Sequence, residues 1–428
     1  MTTHLFVAAL LLCTACGGTA KPDPLAGGGD DQPEGRATSQ PKRAHGWQSL
    51  TSSDATRIDR YRTKEYKRQW ALEAIRTAEA YALLEKNGLA VAGLGSVVAV
   101  SDAGIDFSHG DLVGAKHAKG HTPIAGMTDG SGYTDAHGTH IAGTIAGRRD
   151  SLGMHGVAFD AKIVAFSERR VIDIAAAKKA GVHVVSISWA GGVCNNEHAS
   201  TATRVATACD VANSDDGLKL GAPIAGNKLD LVNDKDMAVF RNVLRAAASN
   251  GVVLVASLAQ GAEERHGFPV GFATDTQLAG KMIAVGAVDR KGRLISMGCG
   301  KSPEAVTEHC LVAPGAGVVG PAANKHAEGS GRTVDDRKYY SWTGTSHAVP
   351  LVSGAVAVLR AAWPKASSAL IVKALLSGAK RVHAPGESKA ATSPSYGRGR
   401  LDLAAAVEYL GRALSRPGGA SPGPTARP

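Results

Sequence analysis

The stretch Val98-Ala-Val-Ser-Asp102-Ala-Gly104 joins an apolar, β-branched run to a carboxylate where a glycine lets the chain turn. A run of this kind, bounded by a turn signal, reads as a short strand buried on both faces, with Asp102 at its carboxyl end. Ser96 to Val100 is one of five such runs, the others being Lys162 to Phe166, His183 to Ser188, Val252 to Ser257 and Met282 to Val288. Helical patterns surround and separate them, over Gln69 to Glu85, His140 to Ala146, Met237 to Ser249, Ala348 to Ala362 and Ser367 to Leu376. Buried strands separated by helices predict an α/β domain in which a parallel sheet carries helices on both faces. Its functional residues are expected at the carboxyl ends of the strands.

Two further segments carry reactive side chains. Asp135-Ala-His137-Gly-Thr-His140-Ile-Ala-Gly143 sets an imidazole ahead of small residues that read as a closely packed helix. Trp342-Thr-Gly344-Thr345-Ser346-His-Ala-Val-Pro350 sets a hydroxyl at the start of an apolar helix. Singly, each has a plain structural reading: Asp102 in a turn, His137 and His140 in a packing helix or as a metal pair at i and i+3, Ser346 as an N-cap. Together they supply carboxylate, imidazole and hydroxyl in the chain order Asp, His, Ser, the groups of a nucleophilic triad. In it Ser346 attacks, His137 takes and returns the proton, and Asp102 fixes the imidazole tautomer. Free N–H groups at the helix start can stabilise an oxyanion beside the serine. No G-x-S-x-G elbow occurs, which argues against an esterase of the α/β-hydrolase type.

On these blocks the chain resembles the subtilase family, the subtilisin-like serine peptidases. The resemblance runs from Gln69-Trp-Ala-Leu-Glu-Ala-Ile75 to Tyr396-Gly-Arg-Gly-Arg-Leu-Asp402, similar to the opening and closing segments of the family's catalytic domain. It takes in Ser188-Trp-Ala-Gly-Gly192, Ile283-Ala-Val-Gly-Ala-Val288 and Ala313-Pro-Gly315 in the family order. The resemblance implies a subtilisin-like three-layer domain and a serine endopeptidase acting on exported or environmental proteins through an acyl-enzyme. It implies catalysis by Asp102, His137 and Ser346, polypeptide substrates paired along Ser188, Trp189 and Ala190, and no cofactor for the chemistry.

The chain also departs from the family. Gln260 stands where the family has its oxyanion asparagine, Ala103 replaces the usual Thr or Ser after the aspartate, and His347 replaces the usual Met after the serine. The segment between Phe166 and His183 is shorter than in the family, and Cys194 to Asp236 looks like an insertion, either a surface loop or a rebuilt wall of the substrate groove. Ile105-Asp-Phe-Ser-His-Gly-Asp111-Leu and Asp150-Ser-Leu-Gly-Met-His-Gly156 match the family's calcium segments, making Asp111 and Asp150 candidate ligands of a structural calcium. Only two carboxylates are visible, with Arg148 and Arg149 beside one of them, so a calcium-free loop is the other reading. The altered Gln260 leaves one alternative function, a non-catalytic, surface-anchored binding protein on a decayed subtilase fold.

The 428 residues carry a net charge of +10, but outside the Arg57 to Arg68 stretch the basic residues are scattered, which reads as a solvated face and not as a nucleic-acid site. Leu5 to Ala15 suits a signal-peptide core and is too short to span a bilayer. Thr14-Ala15-Cys16 resembles a lipobox, so Cys16 is the expected lipid attachment point and membrane anchor; an ordinary cleaved signal is the alternative. The expected organisation is a signal peptide over 1–15, a disordered tether over 16–62, a peptidase domain over 63–412 and a disordered tail over 413–428. Cys194, Cys209, Cys299 and Cys310 remain, an even number that suits an exported protein, in the cell envelope or secreted. Pairing 194 with 209 and 299 with 310 is the simplest connectivity; the other pairings and a four-cysteine zinc site stay open, although no pair has C-x₂₋₄-C spacing.

Overall fold

The computed structural model describes residues 46–102, 104–112, 134–167, 181–189, 218–220, 232–258, 269–295, 298–301, 304–322, 332–335, 339–382 and 394–415. Strand β1 (Val97–Asp102) is buried along its whole length. Alternate side chains feed two separate cores, Val98 and Val100 on one face and Val97 and Ala99 on the other. Parallel strands flank it on both sides, β2 (Lys162–Ser167) and β3 (Val184–Ile187). A separate antiparallel pair is formed by β4 (Leu218–Leu220) and β5 (Val232–Asn233). The main sheet continues through β6 (Val253–Ser257), β7 (Met282–Val288) and β8 (Cys310–Pro314), giving six parallel strands in the order β2-β1-β3-β6-β7-β8. From β1 the chain steps outward to β2, then returns to β3 on the opposite side and proceeds away. Connections therefore diverge between β1 and β3, where an open α/β sheet leaves a crevice at its carboxyl ends.

Both faces of the sheet are covered. The helix Thr345–Ala362 lies on one, burying Ala348, Leu351, Val352, Ala355 and Leu359 in the core that also takes Val98 and Val100. The helix Asp234–Ser249 supplies Leu244, Ala247 and Ala248 to the core on the other. A small antiparallel sheet of β9 (Val318–Pro321), β10 (Arg332–Asp335) and β11 (Tyr339–Trp342), in the order β10-β11-β9, leads into the helix that carries Ser346.

The five expected strands form with ends shifted by at most two residues, because each is an apolar run closed by a polar or turning residue. Three expectations need correction. The helix foreseen over Gln69 to Glu85 is two, Trp70–Ala74 and Thr77–Lys86, broken at Arg76, whose backbone is left-handed (φ 58°). The Arg76 guanidinium donates to Asp402 at 3.0 Å. The helix foreseen from His140 begins at Thr134, which puts His137 in its first turn. Finally, residues 46–62, assigned to the tether, are packed on the domain: Leu50, Ile58 and Tyr61 lie against the core and Trp47 donates from Nε1 to Glu408 Oε2 at 3.0 Å. Glu408 belongs to the helix Leu403–Ser415, which runs past the boundary expected at 412.

Candidate active site

Asp102 ends β1 at the sheet's switch point, its side chain only 1% exposed. His137 reaches it from the first turn of the helix Thr134–Ala146, with Nδ1 2.9 Å from Oδ1 and 3.0 Å from Oδ2. A carboxylate accepts only, so Nδ1 carries the proton and Nε2 keeps its lone pair. Gly138 allows this approach: a Cβ there would lie 1.9 Å from the Gly104 carbonyl oxygen and 3.2 Å from Asp102 Oδ1. The turn after Asp102 is fastened to the same helix by the Asp106 N–H donating to Thr139 Oγ1 at 2.8 Å.

Ser346 is the second residue of the helix Thr345–Ala362, whose N-cap is Gly344. Gly344 is fixed by its own N–H donating to the Gly315 carbonyl at 2.9 Å. Four residues on, Pro350 has no N–H to offer the Ser346 carbonyl. The start of this helix lies against His137, since the His347 ring centroid is 5.4 Å from that of His137 and Trp342, just before the helix, stacks on His137 at 6.0 Å. Ser346 itself is only partly buried, so a hydroxyl on a helix N-terminus stays open to a ligand.

Beside the site lies a pair of buried histidines whose contact the sequence did not reveal. His140 Nε2–H donates to the Val318 carbonyl at 3.0 Å. Its Nδ1 is then an acceptor, and the His347 Nδ1–H donates to it at 3.1 Å. Burial pushes the proton affinity of His140 down to about 3 and holds His347 well below its ordinary value, so both rings are neutral at pH 7. The carbonyl and ring partners of His140 correct its reading as a metal partner of His137. Gly320 makes the room, because a Cβ there would lie 2.7 Å from the His140 ring. The i, i+3 spacing of His137 and His140 was the one visible signal, whereas His347 lies 207 residues from His140.

The substrate-strand residues follow β3. Ser188 is buried, and the half-buried Trp189 donates from Nε1 to Ser101 Oγ at 3.2 Å, tying the segment after β3 to β1. Ala190, Gln260, Cys194, Cys209 and Cys16 lie outside the described residues; β6 leads toward Gln260. Cys299 and Cys310 face each other with Cα atoms 5.9 Å apart.

The two candidate calcium carboxylates have protein partners instead. Asp111 Oδ1 accepts from the Tyr339 hydroxyl at 2.7 Å, and Asp150 Oδ1 accepts from the N–H of Leu152 at 3.0 Å. The loop's N–H groups at Asp150 and Ser151 both donate to Glu65 Oε1 at 2.8 Å. A calcium ion needs six to eight converging oxygens, and a loop that turns N–H groups toward an anion is the opposite arrangement. Among the described residues no group of three or more acidic, histidine or cysteine side chains could hold a metal. The backbone N–H groups turned toward Glu65 favour the calcium-free reading of the loop, while Asp111 Oδ2 is buried with no hydrogen-bond partner among the described residues.

Comparison with known proteins agrees with this architecture. Subtilisin E of Bacillus subtilis (strain 168) is 29% identical over 318 residues, which span 73% of this chain and 65% of that protein. Subtilisin of Bacillus pumilus is 29% identical over 73% of this chain and 90% of its own length. In fold, the chain is similar to fervidolysin from Fervidobacterium pennivorans, described as a keratinolytic enzyme related to subtilisin. The TM-score is 0.57 at 24% identity, over 83% of this chain and 47% of that one. The sequence profile of the Subtilase family matches residues 93–399, well over half of the chain, and with the parallel sheet it shows that the protein belongs to the subtilase family.

Proposed function

We propose that the protein is an exported serine endopeptidase that hydrolyses polypeptides through Asp102, His137 and Ser346. The observation that carries this reading is the two-oxygen contact of the buried Asp102 with His137 Nδ1, at the switch point of the sheet and against the start of the Ser346 helix. His137 Nε2 takes the proton of Ser346 Oγ as the oxygen attacks the scissile carbonyl, and Asp102 stabilises the imidazolium that forms. Negative charge on the carbonyl oxygen meets the Ser346 backbone N–H, the helix N-terminus and the Gln260 side-chain amide. His137 then returns the proton to the leaving amine, and water, activated by the same nitrogen, releases the acyl group from Ser346. The neutrality of His140 and His347 supports the mechanism, because no second cation opposes the charge developing on His137.

The substrate backbone pairs along Ser188, Trp189 and Ala190. Cys16 carries a lipid that anchors the chain to the membrane, and Cys299–Cys310 and Cys194–Cys209 are disulfides of an oxidising compartment; the first pair draws support from its 5.9 Å Cα separation. A fluorophosphonate probe tests the activity. It should label the wild-type chain and not Ser346→Ala, with peptide hydrolysis lost in parallel. A folded wild-type chain that neither reacts nor cleaves would instead be the non-catalytic binding protein.

A further inference from the structure

The basic stretch singled out in the sequence, Arg57 to Arg68, contributes to a cavity that the proteolytic mechanism does not use. The cavity, about 630 Å³, is lined by Arg62, Lys67, Arg290 and Arg400, with Trp70 and Tyr66 in its wall. The four cations face one lining carboxylate, Glu73, and Glu73 is already bound by Arg62 through two hydrogen bonds of 3.0 and 2.9 Å. Arg62 is further neutralised by Asp59 and Glu79. The other three cations have no ion-pair partner among the described residues. Arg290 lies over the Trp70 ring at 5.0 Å, and Arg400 Nε is buried with no hydrogen-bond partner among the described residues. Asp402, the carboxylate whose charge acts on Arg400, is held by Arg76 at 3.0 Å.

Lys67 and Arg290 are exposed to water, so the cost of grouping these cations falls chiefly on Arg400. A buried guanidinium N–H without a partner is unfavourable, and like charges around one cavity repel. The wall is rigid, because the Trp70 indole N–H donates to the carbonyls of Ala316 and Gly317 at 3.1 and 3.2 Å and cannot turn aside. Guanidinium forks match the oxygens of phosphate and sulfate, and the volume exceeds what a bare oxyanion fills, leaving the half-buried Trp70 indole for an organic body.

We propose that this cavity binds an organic molecule bearing a phosphate or sulfate group, with Arg290, Arg400 and Lys67 holding the anion and Trp70 the body. The site shares no residue with the proposed triad and stands whether or not the chain is catalytic. Calorimetric and thermal-shift titrations of the full chain with phenyl phosphate, against sodium phosphate and sodium chloride at matched ionic strength, test it. Phenyl phosphate should bind saturably and raise Tm, more tightly than sodium phosphate, and Arg290→Ala and Arg400→Ala should each weaken it about tenfold. Arg290 is exposed, so its variant keeps the test valid even if Arg400→Ala fails to fold. Absence of saturable binding above the chloride control, equal affinity for the ester and for bare phosphate, or unchanged binding in Arg290→Ala overturns the proposal.

Discussion

His137 gives Nδ1 to structure, held by both oxygens of Asp102, and in the proposed mechanism Nε2 serves Ser346. Asp102→Asn would present an amide that can stabilise the wrong tautomer, so kcat should fall by about 10⁴ with the fold unchanged, the loss known for this change in a chymotrypsin-type triad. Gln260→Ala should lower kcat by roughly 10²–10³ with little change in KM, a magnitude taken from the oxyanion asparagine of a subtilisin, and Gln260→Asn should preserve or raise the rate. Steady-state kinetics on one peptide substrate decide both. The buried histidines make an acid-stability prediction. Unfolded, His140 takes up a proton near its ordinary 6.5, but folded only near 3, so stability is full above pH 6.5 and falls as pH drops through that window. His347 acts in the same direction, and His347→Met should therefore flatten the slope of Tm against pH between 6.5 and 4. A slope equal to that of wild type would rule this out. The three triad candidates were legible because each sits where a periodic run meets a special backbone position. The pairing of His140 with His347 was not, since nothing local relates residues 207 positions apart.

At the scale of elements, the loop from Asp150 to Gly156 shows one device standing in for another. Glu65, buried in the short helix Lys64–Arg68, gathers two backbone N–H groups of that loop onto one carboxylate oxygen. Hydrogen bonds to a charged acceptor contribute roughly 1.5–3 kcal/mol each, so Glu65→Gln should lower Tm by several degrees. Saturating chelator should shift wild-type Tm by less than this substitution does; a larger chelator effect would support the calcium reading. The family resemblance pointed to Asp111 and Asp150 as ligands, whereas their hydrogen-bond partners, Tyr339 and the Leu152 N–H, are set by the fold and not by the local pattern. Element legibility follows the same logic. Strands β1, β2, β3, β6 and β7 are apolar runs that could be read directly. By contrast, β8 is five residues ending in proline, and the helix breaks at Arg76, whose side-chain partner Asp402 is 326 residues away.

At the scale of the molecule, the domain is closed by a contact between its two ends. Trp47 reaches Glu408, lies tilted at 41° against Trp363 with ring centroids 6.0 Å apart, and comes so close to Gly411 that a Cβ there would come within 2.4 Å of the indole. Composition marked this stretch as tether because Gly, Pro and Ser dominate what precedes it, and a single tryptophan carries little weight in such an average. Trp47→Ala should cost about 2–4 kcal/mol, seen as a lower midpoint in urea with an unchanged slope. Gly411→Leu should destabilise through the same contact by overpacking it. This closure also sets how the domain bears mechanical load. Among the described residues Trp47 stands near the amino end and packs on the last helix, so tension applied to the chain ahead of it is met first by an indole wedged on a helix. The helix that holds Ser346 ends beside that joint, at Trp363, and Ser346 lies at its far end. A pull that peels Trp47 away would break these terminal contacts before it reached the start of that helix and the candidate site beside it.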